Sequence, residues 1–97
     1  MTKEYINITI AKYCGYKNPE DKWNNKLTCP NYCEDLNAMH KAELTLWRDE
    51  CLVEKYEENL RKEFLHAVGY QGAAYWFMAK AYTKAVAFLK TIDKYKK

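Results

Sequence analysis

The sequence predicts an α+β fold, mostly helical, in which three to four helices pack with a small two- or three-stranded antiparallel sheet. Three observations carry this expectation. Apolar residues recur at helical spacing in several separate segments. Asn24-Asn25 lies between Trp23 and Leu27, a turn signal with room for at most a short hairpin. Gly69 and Gly72 interrupt the uncharged apolar stretch 64–78, where two short strands around Tyr70-Gln71-Gly72, or a turn between helices, would both fit. At 97 residues the chain makes one small domain, 1–97.

The elements follow in order. Over 5–14, Ile6, Ile8 and Ile10 alternate with Asn7 and Thr9 as in a strand, yet Ile6, Ile10, Tyr13 and Cys14 also share one helix face. Thr2 as N-cap and Gly15 as a terminator favour the helix. Residues 15–30 are polar and turn-rich. Asn31 with Glu34 has the spacing of a capping box, so Asn31 is expected to open the next helix, with Cys33, Leu36, Met39, His40 and Trp47 on one face. Glu43 falls near the middle of that face, so either the face is partly open or His40, one turn away, satisfies the carboxylate. A third helix over about 49–65 carries Leu52, Tyr56, Leu60 and Phe64 inward. Its acids Asp49, Glu50, Glu54, Glu57 and Glu58 read as a solvated outer face. The last helix, 79–94, has the stripe Ala81, Tyr82, Ala85, Phe88, Leu89 and Ile92.

The net charge of +3 conceals segregation: residues 34–63 sum to −4 and residues 80–97 to +5. Lysines at a helix C-terminus suit its dipole. Lys80 and Lys84 stand at the opposite end, where positive charge is unfavourable to the helix, and so are candidates for meeting an anion.

Composition excludes several activities. The chain has no serine, which removes Ser-nucleophile mechanisms, and its three glycines cannot form a phosphate-cradling loop. No stretch reads as a signal peptide, a membrane span or a lipidation signal, so a cytoplasmic protein is expected. Reduced thiols are then expected at Cys14, Cys29, Cys33 and Cys51. Cys29 and Cys33 have the loosest zinc-ligand spacing, and Cys14 and His40 would complete four ligands. No second short-spaced pair supports them, so neither metal nor cofactor is expected. His40 with Glu43, or Cys33 with His40, can be drawn as acid–base pairs, but neither comes with an oxyanion site, and no enzyme is expected.

Three stretches resemble a known family. Asn31-Tyr32-Cys33-Glu34-Asp35-Leu36-Asn37-Ala38-Met39-His40 resembles the "P-[ND]-Y-x-x-D-L-N-A-M-H" segment of the phage ABA-sandwich family, small proteins of tailed phages and prophages. Lys84-Ala85-Val86-Ala87-Phe88-Leu89-Lys90-Thr91-Ile92 is similar to its "R-A-E-A-F-L-R-T-I-G-K-W" ending, with Asp93 where that pattern has glycine. The opening Ile6-Asn7-Ile8-Thr9-Ile10-Ala11, then Cys14-Gly15-Tyr16, is similar to its first helix. The resemblance implies a small sheet flanked by helices and a phage or prophage origin. It also marks Tyr32, Asp35, Asn37 and His40 as motif residues without an assigned role, and it implies no activity.

The functional expectation is a non-enzymatic accessory protein in the host bacterial cytoplasm that binds a host component, in host takeover or inhibition of bacterial defence. One form docks on a host protein through an exposed aromatic or acidic surface. The other sequesters a small nucleotide, with Lys80 and Lys84 on phosphates and Trp76 or Tyr82 stacking on a base. The alternative is nucleic-acid binding through the lysine-rich helix. The small core favours a homo-oligomer.

Overall fold

Helix α1 (Lys3–Tyr13) begins where Thr2 accepts a hydrogen bond from the Tyr5 amide, and Gly15 ends it at φ +100°. The computed structural model describes residues 2–68 and 80–95, with backbone alone at 66–68. A two-stranded antiparallel sheet follows, β1 (Lys22–Trp23) with β2 (Lys26–Leu27), pairing Lys22 with Leu27 and Trp23 with Lys26. Asn24 and Asn25 both take positive φ, 51° and 65°, as the tight primed hairpin turn demands and asparagine tolerates.

Helix α2 (Leu36–Leu44) runs into a 3₁₀ turn (Thr45–Arg48), then α3 (Glu50–Val68) and α4 (Ala81–Thr91). The described chain is a mostly helical α+β fold of four helices and one small hairpin. No helix among the described residues is long and apolar enough to cross a membrane.

Two expectations need correction. Asn31 does not open α2; Asp35 is the N-cap and accepts from the amides of Asn37 and Ala38. Asn31 is drawn instead into a tertiary network. Its Oδ1 accepts from Asn7 Nδ2, its own Nδ2 donates to Glu34, and Asn7 Oδ1 accepts from the Cys33 amide. The buried face of α2 also differs from the expected stripe: Ala38, Met39, Ala42 and Glu43 point inward, while Leu36 is exposed. Beyond them the 3₁₀ turn advances about 120° per residue instead of about 100°. Leu46 stays on the buried face, seven residues after Met39 and four after Ala42, and the tighter turn carries Trp47 further out of it.

Residues 64–68 continue α3. The strands considered around Tyr70-Gln71-Gly72 lie outside the described residues.

The core centres on Phe88, fully buried, with the rings of Tyr13 and Tyr56 edge-on at 5.5 and 6.1 Å. Helix α4 is apolar around most of its circumference, burying Val86, Ala87 and Thr91 beyond its expected stripe and leaving Tyr82 of that stripe exposed. That fits a helix packed on several sides. It lies antiparallel to α3: Lys55 meets Asp93, Asn59 meets Thr91, and Glu63 meets Lys90. Helix α1 is tied to the far end of α4 by Tyr5, whose hydroxyl donates to the Lys94 carbonyl at 2.9 Å.

Candidate functional site

The junction of α2, the 3₁₀ turn and α3 builds an open cavity of about 430 Å³, lined chiefly by His40, Glu43, Leu44, Trp47, Val53 and Glu57, with Lys84 at its base. Its floor is polar and already bonded. Glu43, only 6% exposed, accepts a 2.6 Å hydrogen bond from the Tyr56 hydroxyl, and Lys84 Nζ stands 3.5 Å from its other oxygen. Burial, then the Glu43 carboxylate, raises the Tyr56 phenol above its ordinary range, so it remains a donor. His40 Nδ1 is 3.9 Å from Glu43, but the imidazole is largely exposed. Glu43 is therefore satisfied chiefly by α3 and α4, and only marginally by His40.

The rim has a different character. Trp47 is 66% exposed, Leu44 is exposed beside it, and Val53 is half-buried between them and the acids of α3. A second concavity continues the surface past Trp47 along Glu50, Val53, Glu54 and Glu57. Glu50, Glu54 and Glu57 recur at helical spacing, so they share one face of α3. Two adjoining hollows thus present an indole and two aliphatic side chains edged by carboxylates.

No protein-family model matches the chain, and neither a curated protein nor a solved structure is significantly similar to it. Its chemistry rests on its own geometry.

The residues proposed for an anion do not converge. Lys80 is the exposed N-cap of α4 and makes no side-chain cap. It shares a shallow hollow of about 350 Å³ with Tyr82 and Cys33, but Glu34 lines that hollow too. Lys84 is only 14% exposed and lies against Glu43, so the anion it meets is internal. Trp76 lies outside the described residues.

The motif residues separate into structural roles. Tyr32 is buried beside the Cys14 thiol, and Asp35 caps α2. Together with Asn37 they edge a cavity of about 310 Å³ near Tyr16, while His40 belongs to the Trp47 cavity.

All four cysteines are free thiols. Among the described residues no group of three or more His, Cys, Asp or Glu side chains gathers as a metal site. Burial pushes the Cys33 thiol up to about 11 and raises Cys14 and Cys29 as well, the opposite of what a reactive or ligating thiolate needs.

Sequence reasoning missed Trp47 as a surface residue because it drew the inward stripe through Leu36, His40 and Trp47, whereas the buried face runs through Met39, Ala42 and Leu46. The available signal was Asp49, whose carboxylate accepts from the Cys51 amide and marks a helix start two residues after Trp47.

Proposed function

We propose that this chain is a non-enzymatic accessory protein of phage or prophage that docks on a host protein in the bacterial cytoplasm, in host takeover or inhibition of bacterial defence. The docking surface is the groove around Trp47. The phage setting rests on the sequence resemblance; the binding mode rests on the exposed indole beside Leu44 and Val53, above a cavity whose buried floor is rigidly bonded. Large aromatics seated in a concave, aliphatic surface are the side chains that most often dominate protein interfaces. A 3₁₀ turn between two packed helices holds the backbone that carries the indole, which limits the ordering cost of association to the side chain.

Docking is favoured over nucleotide sequestration because Lys84 is engaged with Glu43, and the hollow at Lys80 and Tyr82 carries Glu34. A phosphate there would face a carboxylate and one exposed lysine.

Affinity capture from host extract with wild type, Trp47→Ala and Tyr82→Ala in parallel tests this reading. A specific host protein held by wild type and Tyr82→Ala but lost from Trp47→Ala is the expected outcome. Thermal stabilisation by cyclic or linear nucleotides, with capture indifferent to Trp47, would return the argument to sequestration.

A further inference from the structure

Of the nine acidic residues between 34 and 63, six are engaged within the fold. Glu34 pairs with Lys3, Glu43 with Lys84, Glu58 with Lys62 and Glu63 with Lys90. Asp35 and Asp49 accept backbone amides at the starts of α2 and α3. The three left over are Glu50, Glu54 and Glu57, none of which has an ion-pair partner among the described residues, and all three edge the Trp47 surface.

Their placement works against the free protein. Glu50 and Glu54 are four residues apart, and Glu54 and Glu57 three, so like charges face each other along one helix. The helix dipole accounts for Glu50 in the first turn of α3. It does not reach Glu54 or Glu57 with any strength. Among the described residues no lysine forms an ion pair with this row, and Arg61, four residues past Glu57, is the one base a turn away along the helix.

From this charge arrangement we infer that the groove around Trp47 takes a basic segment of its partner, with an arginine or lysine head lying over the indole face and between the carboxylates of Glu54 and Glu57. The partner's aliphatic side chains pack on Leu44 and Val53. A cation over an indole is attracted by the ring's quadrupole, and neighbouring carboxylates add to that attraction once water is displaced. The groove floor does not compete for the incoming cation, because Glu43 is already held by Tyr56 and Lys84. This inference rests on the docking reading above and specifies the chemistry of the occupant.

The test uses the full chain and three fluorescently labelled short peptides repeating Leu-Arg-Arg, Leu-Gln-Gln and Leu-Glu-Glu, followed by anisotropy at low and high salt. The Leu-Arg-Arg peptide should bind, weaken with salt, and lose about tenfold or more in affinity with Trp47→Ala and with Glu54→Lys/Glu57→Lys. The charge-reversed variant should gain affinity for the Leu-Glu-Glu peptide. Far-UV circular dichroism confirms that each variant, altered only at surface positions, remains folded.

Equal binding of the Leu-Gln-Gln peptide, still lost with Trp47→Ala, would overturn the basic occupant while leaving the docking groove standing. Leu-Arg-Arg binding untouched by Trp47→Ala would overturn the site for this occupant. A wild-type dimer in sedimentation velocity that Trp47→Ala dissociates would overturn the inference in another way, by making the occupant a second copy of the chain.

Discussion

Tyr56 donates its hydroxyl to the buried carboxylate of Glu43 at 2.6 Å, joining the middle of α3 to the inner face of α2. Lys84 of α4 adds its ammonium from the third side. A buried charge with its partners removed is far more costly than the same charge paired. Tyr56→Phe, which deletes only the donor, is therefore expected to lower unfolding free energy by about 1.5–3 kcal/mol. Lys84→Met should cost about 3–5 kcal/mol, because it strands the carboxylate without its cation. Urea unfolding of the two variants measures both. Loss of stability in neither would mean that the Glu43 carboxylate is solvated in the folded state.

Asp93 holds φ at +60°, the left-handed region that glycine adopts without strain. It follows the end of α4, where the Lys94 amide bonds back to the Leu89 carbonyl and closes the helix. The resembling family pattern has glycine at this position. The ion pair of Asp93 with Lys55 is exposed and contributes little. Asp93→Gly should therefore stabilise the protein by about 0.5–1 kcal/mol, a rise of roughly 2–8 °C in Tm. A fall in Tm by calorimetry would show that the Lys55 pair outweighs the backbone strain.

These two sites differ in how far the sequence announces them. The four helices, the hairpin at Asn24-Asn25 and the Thr2 cap are legible because each depends on neighbours a few residues apart. The start of α2 is not, because Asn31 has a local role open to it and a tertiary one that wins through Asn7, twenty-four residues away. Glu43 was visible as an oddity on an apolar face, but its partners come from two other helices. Trp47 is misplaced by its pattern because two overlapping stripes run along this segment, Leu36–His40–Trp47 and Met39–Ala42–Leu46, and only packing shows that the second is buried. The acids of α3 form an outer face as their spacing predicts; what sets Glu50, Glu54 and Glu57 apart is that the fold uses the other acids of that region.

The thiols give an alkaline limit to stability. Burial raises Cys33 to about 11 from an ordinary value of 9.0, and it raises Cys14 and Cys29 in the same direction. Between these values the unfolded chain has released protons that the folded chain still holds, so folding loses stability as pH climbs from about 9 towards about 11. The raised Tyr56 phenol acts in the same sense above its own ordinary value. Thermal melts should show a decline beginning near pH 9, and Cys33→Ala should reduce its slope. At neutral pH, DTNB should modify exposed Cys51 first and the other three slowly, with Cys51→Ala removing the fast phase.

Glu54 offers a direct contrast between stability and binding. It lies between Glu50 and Glu58, one turn to either side, and three residues before Glu57, so its charge meets only repulsion along the helix. It also lies past the first turn of α3, where the dipole compensates little. Glu54→Gln is therefore expected to stabilise the free protein by about 0.5–1 kcal/mol, and roughly 2–8 °C in Tm, at low ionic strength. The gain should shrink in high salt, as repulsion between exposed charges is screened. The same substitution should weaken Leu-Arg-Arg peptide binding, because it removes one of the two carboxylates that face the cation. A variant that gains stability while losing affinity identifies Glu54 as a residue held for the partner. A loss of stability would instead place its carboxylate among those the fold itself uses.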